Sequence, residues 1–240
     1  MATSGKLAEN LAIALDLPRA SIESTVKALR DAGLIASKGR GSSAAEMTKE
    51  DASTLLIAIG SAASAPHVVR VTELLKEMQA QPVPRPPLQG LDILRNTGHP
   101  FLDLAEGHTF FEGLNTLLRP EWSFDPEQEE MGQGLFNPLD HPEKLAISIG
   151  TDGQKKGGFA IIQTIGRTGF TIKNIYSSWS LKPGVAEQPI EFLNIFQSSA
   201  KFFSIAYFDG EVLATAIRTL REPAKRTRNR KPQIARSVQS

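Results

Sequence analysis

Residues 7–48 constrain this chain more than any other stretch, because they set two helix patterns, a tight turn and a Gly-rich basic loop in one order. Leu7, Leu11, Ala14 and Leu15 recur at helical spacing and give a short helix one apolar face. Asp16, Leu17 and Pro18 end it, since a proline disfavours helical geometry in the residue before it and tolerates a helix after it. The next helix, expected over 19–32, turns Ile22, Val26 and Leu29 inward at offsets 0, 4 and 7. Its other faces carry Arg19, Ser21, Ser24, Lys27 and Arg30. Gly33 suits a left-handed cap, and Leu34 and Ile35 open an extended segment. Lys38, Gly39, Arg40, Gly41, Ser42 and Ser43 then form a loop whose glycines permit a tight reversal. Its cations and hydroxyls can meet phosphate oxygens or a minor groove.

Helix, turn, helix and two short strands joined by a basic loop is the order of a winged helix-turn-helix, which lays its second helix in the DNA major groove. Leu11-Ala12, Ala14-Leu15, Leu17-Pro18, Ile22, Val26, Leu29 and Ala32-Gly33-Leu34-Ile35 resemble the reader heads of MarR-, GntR- and IclR-type bacterial regulators, over about a fifth of the chain. The Ala-Gly-Leu-Ile ending followed by a basic wing is the most distinctive part. The resemblance implies double-stranded DNA as partner and a homodimer whose two heads match two half-sites. It also implies a coupled domain with room for a small-molecule or protein effector. Those families place another helix before the motif, and only six residues precede Leu7, so the helix after the wing is expected to complete the three-helix core. Two other readings stay open: a winged helix used for protein contacts, and an ordinary helical hairpin with a charged surface.

The net charge of +1 becomes informative only when divided along the chain. Residues 1–48 hold six Lys/Arg against five Asp/Glu, whereas residues 223–240 hold six against none. Basicity is therefore local to the wing and the tail. With 40% hydrophobic and 22% charged residues, the chain has the material for a globular core. The lack of cysteine excludes disulfides, thiolate metal sites and cysteine nucleophiles. There is no signal-peptide pattern and no run of apolar residues long enough to span a bilayer, so a cytoplasmic protein is expected.

Four segments are expected: a DNA-binding domain with trailing helices (1–80), a Pro-rich linker (81–89), a sensing or dimerising α+β domain (90–222) and a basic disordered tail (223–240). In the first, Thr48 to Asp51 has the form of a capping box, followed by an apolar stripe at Ala52, Leu55, Leu56 and Ile59. After a break at 60–66, a helix over 67–79 turns Val68, Val71, Leu74, Leu75 and Met78 inward. Four prolines between Gln81 and Pro87 mark the boundary. Beyond it the pattern gives a helix over 103–118 and a long loop over 120–142. An antiparallel meander over 144–150, 157–165 and 169–178 follows. The stretch 190–208 is ambiguous between strand and helix, and Asp209 caps a final helix over 210–220. The fold class is α+β: a winged helix-turn-helix plus a C-terminal α+β domain with a small antiparallel sheet.

No catalytic constellation stands out, and no enzyme activity, metal or cofactor is expected. His67, His99, His108 and His141 lack metal-ligand spacing, although His99, His108, Asp103 and Glu106 share one region. No Ser lies in a G-x-S-x-G elbow and neither Gly-rich stretch continues as a phosphate loop. Trp122, Phe170, Tyr176 and Trp179 are candidates for a ligand pocket or for core. The expected function is a sequence-specific transcriptional regulator of bacterial or phage type, with Arg19, Ser21, Ser24 and Lys27 at base edges and nearby phosphates. Arg30 is expected at the backbone, and Lys38, Gly39, Arg40, Gly41, Ser42 and Ser43 in the wing. The alternative from another class is a replication, partition or phage-type adaptor whose winged helix docks a protein.

Overall fold

Local signals fix the helices of the first eighty residues. The computed structural model describes residues 3–37, 46–81, 104–105, 107–118, 139, 142–152, 156–165, 171–178 and 203–222. Helix α1 (Ser4–Ala14) starts where Thr3 Oγ1 accepts from the Lys6 N–H, and it buries Leu7, Ala8, Leu11 and Ala12. It ends in a Schellman turn with Asp16 left-handed at φ 50°, Leu17 N–H donating to Ala12 O and Asp16 N–H to Ile13 O. Helix α2 (Arg19–Asp31) follows Pro18 and buries Ile22, Val26 and Leu29, the three positions its spacing predicts. Gly33, at φ 73°, closes it with the same pair of bonds, Leu34 N–H to Leu29 O and Gly33 N–H to Arg30 O.

Helix α3 (Lys49–Gly60) begins with the expected capping box between Thr48 and Asp51. Ala52, Leu55, Leu56, Ile57 and Ala58 are all buried, so α3 runs through the middle of the core and is not an amphipathic surface helix. Helix α4 (Ala65–Lys76) starts two residues before the expected position and buries Val68, Val71 and Leu75. Its Leu74 is half-buried, whereas Met78 just beyond the helix is buried. Strand β1 (Gln79–Ala80) follows.

Helix α5 (Phe110–Leu117) is shorter than the expected 103–118. Gly107 is left-handed at φ 77°, and Thr109 is an N-cap with Glu112 completing its capping box, so the helix cannot begin earlier. The Thr109 N–H donates to Glu112 Oε2 at 2.7 Å, and this bond foremost holds the Glu112 carboxyl below its ordinary 4.5. A carboxyl whose folded pKa is depressed contributes stability above its unfolded pKa, and that contribution is lost as pH falls through the folded one. The Tm advantage of the wild type over Glu112→Gln is therefore expected to shrink as pH falls from about 6 to about 3. An advantage that stays constant across that range contradicts this assignment.

The sheet is antiparallel throughout, in the order β1-β4-β3-β2-β5, with β2 (Leu145–Asp152), β3 (Gly158–Ile165), β4 (Thr171–Ser177) and β5 (Phe203–Asp209). The meander β2-β3-β4 is the one expected. Part of the ambiguous 190–208 stretch proves to be strand β5; residues 190–202 lie outside the described residues. Asp209 Oδ1 then accepts from Val212 N–H and starts α6 (Gly210–Arg221). Ile147, Ile149, Ala160, Ile162, Tyr176 and Phe208 face the helices. Their side chains belong to the same buried cluster as Leu7, Leu11, Ile22 and Leu29. On the opposite face the Phe159 ring lies across Gly150, its register partner, where any β-carbon would collide with it.

The chain is thus α+β with a small antiparallel sheet. The expected division at 81–89 does not separate two cores among the described residues. Helix α1 packs on α6 as well as on α2, and Asn10 Nδ2 donates to Thr219 Oγ1 at 2.8 Å. Helix α3 bridges α2 to β2 and β5. The bundle around α1 and α2 is completed by α3 and α4, as expected of the helices after the loop, and also by the C-terminal helix, which the sequence did not reveal. Residues 82–103, the acidic stretch 125–130 and the tail 223–240 lie outside the described residues. No single helix among the described residues is long and apolar enough to cross a membrane.

Candidate nucleic-acid interface

The solvent face of α2 is an alternating charge ladder. Arg19 Nε meets Glu23 Oε1 at 2.7 Å, and Lys27 Nζ meets Asp31 Oδ2 at 3.3 Å. Arg19 Nη1 also reaches Glu9 Oε1 on α1 at 3.4 Å. The hydrogen bond that Arg19 donates to Glu23 raises the Arg19 pKa further above its ordinary value, so this group stays cationic. Spacing of four residues puts Arg19, Glu23, Lys27 and Asp31 on one face, and exposed pairs of this kind contribute little stability. Ser21 and Ser24 are exposed beside the ladder and unobstructed by the core.

Arg30 behaves differently. It stands four residues after Val26, on the flank of the buried stripe, and its Nη2 donates to Ser4 Oγ at the start of α1. Its Nε is buried with no hydrogen-bond partner among the described residues. Arg30, half-buried, therefore ties α2 to α1.

The loop between α2 and α3 is fixed at its base. Lys38, Gly39, Arg40, Gly41, Ser42 and Ser43 lie outside the described residues, but both legs are visible. On the outgoing leg Ile35 is buried and the Ala36 N–H donates to Asp51 Oδ1 at 3.0 Å. On the return leg the Thr48 N–H donates to Asp51 Oδ2 at 3.0 Å. Glu46 forms an isolated antiparallel bridge with Thr3, just ahead of α1, and Met47 is buried. In place of the two strands expected beside the loop, the described legs contain only this bridge. One carboxylate, 8% exposed, thus clamps both ends of the basic loop and caps α3 as well. The sequence showed Asp51 as a cap; its bond to Ala36, fifteen residues away, had no local signal.

The other candidates separate in the same way. His108 Nδ1 lies 2.9 Å from the Ala105 carbonyl, so it carries the proton, and Nε2 accepts from the Tyr176 hydroxyl at 2.9 Å. Burial, with the Glu112 charge second, pushes the Tyr176 phenol far above its ordinary range, so it stays a donor. Tyr176 packs on Phe110 and is core. The pair joins the loop before α5 to β4, where Phe110 N–H also donates to Met78 O at 2.8 Å. His67 is exposed, and His99, His141, Trp122, Phe170 and Trp179 lie outside the described residues. Among the described residues no group of three His, Cys, Asp or Glu is placed to hold a metal ion.

No known protein family, curated protein or solved structure matches this chain.

Proposed function

We propose that this chain is a sequence-specific DNA-binding transcriptional regulator, working in the cytoplasm as a homodimer and carrying out no enzymatic reaction. Its N-terminal part acts as a winged helix-turn-helix of the type its sequence resembles. Helix α2 enters the major groove with Arg19, Ser21, Ser24 and Lys27, and the loop bearing Lys38, Arg40, Ser42 and Ser43 tracks the backbone or minor groove. Gly39 and Gly41 let that loop approach closely. The observation that carries the reading is the closed base of this loop. Asp51 holds both legs, and the Thr3–Glu46 bridge ties the return leg to the start of α1, so the two legs that flank the basic stretch are anchored while the ladder face of α2 is open to solvent. The balanced ladder on α2 makes that face weakly attractive to phosphate in general. Selectivity then comes from base-edge contacts, while salt-dependent affinity comes from the loop and the tail. An effector of the sheet region would reach the heads through α6, which packs on α1.

Arg40→Ala is expected to weaken binding to every duplex and reduce the salt slope by about one charge. Ser21→Ala and Lys27→Ala are expected to erase discrimination between a preferred site and random DNA, by about 1–3 kcal/mol per lost base contact. Equal losses on both duplexes for all three variants would remove the direct-readout reading.

The adaptor reading draws on a different observation. Ile13 is 76% exposed near the end of α1 and Leu17 is 41% exposed in the turn before α2, an apolar pair beside a balanced charge ladder. Such a surface suits a protein partner. Substituting Ile13 and Leu17 with serine separates the two: loss of DNA selectivity is not expected from it, whereas loss of a protein partner is.

A further inference from the structure

Strand β5 is an edge of the sheet among the described strands, and several devices that usually blunt an edge are missing from its sequence and register. Its sequence, Phe203-Ser204-Ile205-Ala206-Tyr207-Phe208-Asp209, has no lysine, arginine or proline. Its register with β2 runs residue for residue from Asp152–Phe203 to Ala146–Asp209, without a bulge. The opposite edge, β1, is only two residues long. Short strands, bulges, prolines and charges are how sheets avoid adding foreign strands; β1 is short, whereas β5 is seven residues long and carries a charge only at its last residue, Asp209. Ile205 is 53% exposed and Tyr207 65% exposed, both on the face turned away from the helices.

We propose that β5 pairs antiparallel with the same strand of a second copy of this chain, about a two-fold axis at Ala206, joining the two sheets. This assigns a surface to the homodimer of the proposed function and rests on that reading only for there being a dimer. The strand is complementary to itself. In that register Ile205 faces the partner's Tyr207, and Tyr207 faces the partner's Ile205, an aromatic–aliphatic pair repeated by the symmetry. Ala206 meets its own copy, and its small side chain leaves the axis free of a clash. The area sets the strength. Two partly exposed apolar side chains and one strand per protomer bury less than the roughly 1,200–2,000 Å² of a stable interface, so the dimer exchanges, with a Kd expected in the micromolar range.

Full-length protein tests this by sedimentation equilibrium without DNA, so the outcome does not depend on the DNA reading. The wild type is expected to shift from its 26.1 kDa monomer to twice that mass as concentration rises through the micromolar range. Tyr207→Lys and Ile205→Lys are expected to raise the dimer Kd at least about tenfold, with circular dichroism and Tm unchanged because both side chains are exposed. A register test is clean because the chain has no cysteine. Paired Cα atoms lie about 4.5–5.5 Å apart across an antiparallel ladder, within disulfide range, so Ala206→Cys is expected to cross-link on mild oxidation. Lys156→Cys, exposed in the β2–β3 turn, is expected to give only background. A wild type that stays monomeric to about 100 µM overturns the proposal. So do lysine variants that dimerise like the wild type, and Ala206→Cys cross-linking no faster than Lys156→Cys. If the dimer holds while the protein fails to discriminate DNA sites, the surface stands and the regulator reading falls.

Discussion

Asp51→Ala is expected to lower the unfolding free energy by about 3 kcal/mol and to weaken DNA binding beyond what that loss of stability explains. The carboxylate accepts from Ala36 N–H and Thr48 N–H, each at 3.0 Å, and sits at the third position of α3, where negative charge meets the positive helix end. Alanine removes the acceptor for both amides at once. A partly buried amide left without a partner costs about 1–3 kcal/mol, and loss of a capping interaction adds about 1 kcal/mol. Asparagine should recover little, because its NH2 would face one of the two amide donors. Urea denaturation measures the stability, and hydrogen exchange at Ala36 and Thr48 measures the clamp. Both amides are expected to exchange faster in the variant, and slow exchange at Ala36 would show that the loop has another anchor.

The second large effect is expected at Gly60, the last residue of α3. A β-carbon there would lie 2.5 Å from Ile149 Cδ1 and 2.9 Å from Phe208 Cε2, so the helix meets the sheet through a position with no room for a side chain. Both neighbours are core residues, Ile149 fully buried and Phe208 3% exposed, so turning either side chain aside presses it on other core residues. Gly60→Val adds three carbons and a β-branched side chain. Its overpacking cost, at the upper end of about 1–3 kcal/mol, outweighs any gain in helix propensity. For a domain of this size that lowers Tm by roughly 6–12 °C. Gly60→Ala is expected to fall between the two, since alanine recovers about 1 kcal/mol of propensity and adds no atoms beyond the β-carbon, which still meets both Ile149 and Phe208. A valine variant as stable as the wild type would mean that α3 does not sit against the sheet.

The sequence was readable wherever a signal was local. Helical spacing identified Ile22, Val26 and Leu29, the Thr48–Asp51 pair identified a helix start, and Asp209 identified the last helix. Alternating apolar residues identified β2, a continuous apolar run identified β3, and the glycine-bearing stretches between the strand signals set out the meander through β4. What was missed depends on contacts between distant segments. Nothing near Asn10 announces Thr219, so the docking of α6 on α1 was invisible, and with it the single core on both sides of the prolines. The Arg30 bond to Ser4 was equally invisible, because a cation on the flank of an apolar stripe can point either way and its partner lies on another helix. The ladder Arg19, Glu23, Lys27 and Asp31 was legible, four residues apart with alternating sign, and it changes the site. Two of the expected DNA-contacting cations begin paired with carboxylates that share their face.

That balance makes one measurement decisive. Fluorescence anisotropy across a salt series, on duplexes from the neighbourhood of the coding sequence and on random duplexes, compares full-length protein with a chain ending at Arg221. If α2 and its clamped loop read DNA, the shortened chain keeps a preferred site over random DNA while its affinity and salt slope fall together. If binding is unselective and disappears with residues 223–240, the basic tail alone holds DNA, and the helix pair α1–α2 belongs to a protein-docking surface.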